Sequence, residues 1–216
     1  MDRATKQRRG SFVVIEGIDG SGKSTLIRGL QHRLAAERQA GRVAFFREPT
    51  DGPIGREIRE HLKRASELDP EQWLDLFFRD RAENLREHVE PALQRGILVI
   101  QDRYFFSTAA YQGRTDGITA SAIIERSVAA GFPLPELLLF LRIAPGEAMA
   151  RIRDRSNLTE SFESQSQLEA IDSRYRSVLP DNAIVLDATQ TPEQVLEDAL
   201  ERIRSLPPAH EKKPGA

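Results

Sequence analysis

Gly17-Ile18-Asp19-Gly20-Ser21-Gly22-Lys23-Ser24 is the stretch on which the fold turns. It matches G-x-x-x-x-G-K-[ST], a glycine-rich loop whose backbone N–H groups converge on phosphate. The residues before it, Phe12-Val13-Val14-Ile15-Glu16, form a short apolar, β-branched run that reads as a buried strand. After it, Leu26, Leu30 and Leu34 recur at helical spacing, and a helix is expected over 25–38. Strand, loop and helix in that order are the context the motif requires. The helix start near Lys23 would add unpaired N–H groups and a positive dipole end. Lys23 would reach the β- and γ-phosphates, and the Ser24 hydroxyl would ligate Mg²⁺. Gly17, Ile18, Asp19, Gly20, Ser21, Gly22 and Thr25 complete the expected ATP-binding loop. A glycine turn without a ligand is the alternative, and the correct flanks argue against it.

Composition bounds the rest. The 216 residues favour one domain, expected over 11–206, with flexible tails at 1–10 and 207–216. A net charge of -2 gives no global positive field for nucleic acid. There are no cysteines, so neither disulfides nor thiolate metal sites arise, which fits a cytoplasmic setting. No apolar run approaches ~18 residues, so no membrane helix is expected. The basic N-terminus lacks the apolar core of a secretory signal.

Further strands are expected at 43–46, 97–100, 137–141 and 183–186. Helices are expected near 54–63, from 70 towards Gly96, at 105–112, 119–130, from about 145, at 164–178 and at 191–205. Asp69-Pro70 and Thr191-Pro192 are helix starts, each an N-cap followed by proline. Alternating strands and helices predict an α/β fold: a five-stranded parallel sheet with helices on both faces.

Ligands of such sheets bind beyond the carboxyl ends of the strands. That rule selects Glu16 to Ser24, Arg47 to Thr50 and Asp102 to Ser107. Asp102 suits a metal–water shell near Ser24. Arg47 and Arg103 present forks that match phosphate oxygens, unless they merely pair with Glu48 or Asp102. Phe77 and Arg81 are spaced i, i+4 on a stripe with Leu74 and Leu85. They could stack on and hydrogen-bond a base, or form core with Arg81 snorkelling outward. Arg151, Arg153 and Arg155 lead into a polar loop and could belong to a phosphate lid near 151–163 or to a solvated face. His32, His61, His88 and His210 show no metal-ligand spacing.

These motifs together resemble the thymidylate kinase family. The resemblance rests on Glu16 to Ser24, Arg47-Glu48-Pro49, Leu76-Phe77 with Asp80-Arg81-Ala82-Glu83, and Asp102-Arg103-Tyr104 with Ser107 and Ala110-Tyr111-Gln112-Gly113. It runs in order from about residue 12 to 205. It implies a three-layer architecture like that of the P-loop nucleoside monophosphate kinases. The implied reaction is phosphoryl transfer from ATP, with Mg²⁺, to dTMP. By position, Asp19 would meet the sugar 3′-hydroxyl, and Arg47 and Arg103 the acceptor phosphate. Phe77 would stack on thymine and Arg81 bond its carbonyl. Tyr111 would sit where a 2′-hydroxyl would clash, near Gln112, and Ser107 would complete the dTMP site. Lys23, Arg103 and Asp19 would be catalytic, and the family implies a possible homodimer; of the local cations near the lid, Arg153 and Arg155 are the expected catalytic ones, with Arg151 on ATP. The sequence departs from the family in two places. Thr50-Asp51-Gly52-Pro53 replaces the usual Gly-Gly-Thr, and Glu160-Ser161-Phe162-Glu163 lacks the usual lid arginine.

Two other readings compete. A deoxynucleoside kinase would have no acceptor phosphate for Arg47 to hold. A GTPase would need Asn-Lys-x-Asp to read guanine, and no Asn precedes Lys here.

Overall fold

The computed structural model describes residues 9–36, 42–64, 68–155 and 164–206, with Arg155 in backbone only. Among them, five parallel strands form one sheet in the order β2-β3-β1-β4-β5. The strands are β1 (Phe12–Glu16), β2 (Val43–Arg47), β3 (Leu98–Asp102), β4 (Leu137–Arg142) and β5 (Ile184–Asp187). All five fall where the apolar runs predicted them, with ends shifted by at most two residues. The central strand β1 is buried along its whole length, which is why it lacks an apolar–polar alternation. Strand β2, at the sheet edge, is only half-buried.

The helices are α1 (Lys23–Leu34), α2 (Pro53–Lys63), α3 (Pro70–Asn84), α4 (Glu90–Gln94), α5 (Phe105–Gln112), α6 (Ala120–Ala129), α7 (Pro145–Arg155), α8 (Gln165–Val178) and α9 (Pro192–Arg204). Helix α1 packs on α9, while α5 packs on α3, α6 and α8. The segment expected as one helix from residue 70 to Gly96 is α3, a π-helical turn over Leu85–Val89, and α4. The predicted caps form: Asp69 accepts from Gln72 N–H, and Thr191 from Gln194 N–H. In both, the glutamine side chain returns a bond to the cap backbone, closing a capping box.

Register brings the chemistry to one end of the sheet. Ile15 and Arg47 both flank Asp102, so the ends of β1, β2 and β3 lie side by side. No described helix is long and apolar enough to cross a membrane. Residues 156–163 of the lid expected near 151–163, the end of the first helix beyond residue 36, residues 1–8 of the expected N-terminal tail, the C-terminal tail at 207–216 and the Arg155 side chain lie outside the described residues.

Candidate active site

The glycine loop folds tightly against the protein. Gly20 has φ 81, and a Cβ there would meet the Ala148 carbonyl oxygen at 2.4 Å. Only glycine fits both the left-handed backbone and the close approach. Gly22, at φ 96, is the N-cap of α1. The N–H groups of Lys23 and Ser24 therefore open a helix, where no intrahelical carbonyl can pair them. Lys23 is buried and curls back, donating to the Gly17 and Ile18 carbonyls at 2.7 and 3.0 Å. Burial, and then the charge of Arg103, push its ammonium pKa down to about 8. An anion at the loop would oppose both effects.

Beyond β3 the backbone turns sharply at Arg103, whose φ is 63. A non-glycine residue there costs roughly 1–2 kcal/mol. The turn is secured by the bond from Arg103 N–H to the Ile15 carbonyl, 3.0 Å. It aims the guanidinium back across β1, where it pairs with Asp19 and donates to Ser107 Oγ at 3.2 Å. Its carbon lies 4.9 Å from the centre of the Tyr111 ring. Tyr111 Oη also accepts from Asp19 N–H at 3.1 Å. Burial opposes the Arg103 charge, but Tyr111, Asp19, Tyr175 and Asp102 hold its pKa well above the usual arginine value. Asp19 is held below the usual range: Arg103 and Lys23 outweigh the cost of burial.

A cavity of about 220 Å³ opens here, lined by Asp19, Phe77, Arg103, Ser107, Tyr111 and Gln112, with Glu48 and Pro49. Six of the eight expected acceptor-site residues thus meet around one space, though they come from four parts of the chain. Phe77 presents a half-exposed ring stacked on Trp73, with centroids 6.0 Å apart.

Arg81 stands behind that wall. It does not snorkel outward; it is 1% exposed and bridges to Glu48 at 2.7 Å and Thr108 Oγ1 at 2.9 Å. One nitrogen, Nη1, is buried with no protein partner among the described residues. Burial pushes the Glu48 carboxyl up to about 7, against the pull of Arg81. Asn84 joins Glu48 to Gln101, and Gln101 donates to the Arg103 carbonyl at 3.0 Å. Arg81 and the Arg103 backbone thus share one buried hydrogen-bonded support. Sequence reasoning selected Arg81 but missed Glu48 as its counter-ion. The available signal was that a motif carboxylate and a motif arginine sit in one family pattern.

Arg47 goes elsewhere. It is exposed and pairs with Asp51 at 2.5 Å, not with Glu48. It lines a second cavity of about 790 Å³ together with Ser24 and Asp102. Burial raises the Asp102 carboxyl pKa, opposed by Lys23 and Arg103, and its Oδ1 is buried without a partner among the described residues. A hard oxygen donor left unpaired in the cavity that Ser24 also lines fits a hydrated Mg²⁺.

The first departure from the family motif has a structural account. Thr50 gives its N–H and hydroxyl to the buried Asp80 at 2.9 and 2.5 Å. Asp51 gathers Arg47 and Arg59 on its carboxylate, and its carbonyl accepts from Arg56.

A third cavity, about 400 Å³, lies on the other side of the loop. Gly20, Ser21, Gly22 and Thr25 line it with Arg151, Gln190 and Val195. Arg151 donates to the Ala188 carbonyl at 2.8 Å. Arg153, two residues on, is exposed and lines none of the three cavities.

The thymidylate kinase family model matches residues 15–199. A thymidylate kinase of Leptospira borgpetersenii serovar Hardjo-bovis is 40% identical over 190 residues, covering 88% of this chain and 91% of the relative. One from Xanthomonas campestris pv. campestris (strain B100) is 38% identical over 190 residues, covering 88% and 81%. A probable thymidylate kinase of Pyrobaculum aerophilum is 37% identical over 197 residues, covering 91% and 97%. With this breadth of similarity and three cavities meeting at the glycine loop, the chain belongs to the thymidylate kinase family.

Proposed function

We propose that this protein transfers the γ-phosphoryl group of ATP to dTMP, forming dTDP. The observation that carries the reading is Arg103, a guanidinium aimed from a left-handed turn into a cavity it shares with Asp19, Phe77 and Tyr111. A neutral acceptor would give that charge nothing to hold.

In this reading the donor base enters the cavity beside Arg151, and its phosphates lie on the N–H groups that open α1. Lys23 releases the Gly17 and Ile18 carbonyls to take the β- and γ-oxygens. Ser24 and Asp102 would hold Mg²⁺, which would neutralise charge on the transferring phosphoryl group. Arg103 binds the acceptor phosphate, and Arg47 joins it by leaving Asp51. Asp19, released from Arg103, accepts from the sugar 3′-hydroxyl. Phe77 stacks on thymine, and the unpaired Arg81 Nη1 is the donor for its carbonyl. Tyr111 crowds the position of a ribose 2′-hydroxyl, with Gln112 beside it and Ser107 behind Arg103. Arg153 and Arg155 are the candidates for a cation that closes on the γ-phosphoryl from the lid side. The reading carries with it a cytoplasmic enzyme with no nucleic-acid partner, and a homodimer as the family expectation.

A coupled assay with ATP and, separately, dTMP, dUMP, dCMP, dGMP and thymidine tests this. The expected result is highest kcat/KM for dTMP. Replacing Arg103 with alanine should raise the dTMP Kd by more than ~10-fold, the scale of a charged hydrogen bond, and leave ATP binding unchanged. Thymidine outperforming dTMP would refute the proposal.

A further inference from the structure

Glu16 is fully buried at the end of the central strand. Its Oε1 accepts from the N–H groups of Tyr104 and Ser107 at 2.8 and 3.1 Å. Its Oε2 accepts from the Ser107 and Tyr175 hydroxyls at 2.6 and 2.9 Å. A solitary buried carboxylate is expensive, and four donors are what makes it tolerable. None of the steps above uses it.

The protons explain what it does. Ser107 Oγ has one proton and two lone pairs. Its neighbours are Glu16 Oε2, the Tyr175 hydroxyl at 2.8 Å and Arg103 Nη1 at 3.2 Å. A guanidinium only donates, so Ser107 must turn a lone pair towards Arg103. With Glu16 ionised, the Ser107 proton goes to the carboxylate and the Tyr175 proton goes to the same oxygen. Every donor then has an acceptor, and the serine rotor is locked with its lone pair on Arg103.

Tyr175 supports Arg103 by a second route. Its ring, 0% exposed, meets Tyr111 edge-on at 6.4 Å and packs on Phe140 at 5.2 Å. The Tyr111 ring lies against the Arg103 guanidinium. The residue before it, Arg174, donates to the Ala110 carbonyl near the end of α5 at 2.6 Å. Helix α8 therefore holds, through adjacent side chains, the helix that carries Ser107, Tyr111 and Gln112.

We propose that Glu16 and Tyr175 are positioning residues for the acceptor phosphate, acting on Arg103 through the Ser107 hydroxyl and the Tyr111 ring. This rests on the reading that Arg103 holds that phosphate. The role is narrower than packing, because it predicts a loss confined to ligands that carry the phosphate.

The test compares dTMP, thymidine and ATP binding by calorimetry in the wild type, Tyr175→Phe, Glu16→Gln, Ser107→Ala and the double variant Tyr175→Phe/Ser107→Ala. Tyr175→Phe keeps the ring and should fold; its unfolding temperature checks this. It should weaken dTMP by about 5–10-fold, the scale of one lost hydrogen bond, with thymidine and ATP unchanged. Glu16→Gln puts an amide donor among donors and should lose at least as much dTMP affinity. If that variant does not fold, Tyr175→Phe still decides the matter. Adding Tyr175→Phe to Ser107→Ala should cost less than it does alone, because the shared hydroxyl is already gone. Equal weakening of dTMP and thymidine by Tyr175→Phe, or no weakening of either, overturns the proposal. A wild-type protein that binds dTMP no better than thymidine instead sinks the acceptor reading, and this proposal with it.

Discussion

ATP binding should carry a proton with it, and Lys23 is the reason. In the free protein its ammonium is buried against two carbonyls and beside Arg103, with a pKa of about 8 in place of 10.5. A polyphosphate at the loop supplies negative charge at close range and restores the protonated form. With a free-state pKa of about 8, binding takes up roughly 0.1 proton at pH 7, about 0.5 at pH 8 and about 0.9 at pH 9. The sign follows from that order. The bound state prefers the charged amine, so ATP affinity falls as pH rises through 8. From pH 7 to pH 9 the Kd should rise by about 10-fold. Calorimetry of ATP binding in buffers of low and high ionisation enthalpy reads the uptake directly. The Lys23→Met variant should bind more weakly and show no buffer dependence in this range. Proton release, or an uptake that does not grow between pH 7 and 9, would refute the account of Lys23.

The remaining predictions concern the framework of the proposed acceptor site. Arg81→Met leaves Glu48 buried without its counter-ion and should cost about 3–5 kcal/mol in urea unfolding, because breaking one side of a buried pair strands the other. A loss under about 1 kcal/mol would mean the pair is not structurally important. Gly55→Ala would place a Cβ 2.0 Å from the Thr50 carbonyl oxygen, so the loop whose Asp51 pairs with Arg47 must move. It should cost about 1–3 kcal/mol in thermal unfolding and raise the KM for dTMP more than that for ATP.

Strand β1, the glycine loop and α1 were legible in the sequence because their determinants are local. An apolar run, a glycine pattern and a leucine repeat each act within a few residues, and the structure assembles them as predicted. Proline after a capping side chain is equally local, and both predicted starts hold. The parallel sheet followed from the alternation of elements, since parallel neighbours need a crossover between them. The membership of the proposed acceptor cavity was legible only as a list of motif residues. That six of them line one space depends on the register that puts the ends of β1 and β3 together.

Tertiary structure alone decided how charge is partnered. Nothing near Arg47 in the sequence ranks Asp51 above Glu48, and the structure gives Asp51 to Arg47 and Glu48 to Arg81, 33 positions away. Pattern left Arg81 suspended between core and surface; burial beside Glu48, Thr108 and Tyr104 settled it. Nothing in the sequence singles out Tyr175, yet its hydroxyl reaches Glu16 across 159 positions. Hydrophobic pattern and glycine act on the chain near them, so sequence reveals them. A buried polar group takes whichever partner the fold delivers, and that choice exists only once the chain has closed on itself.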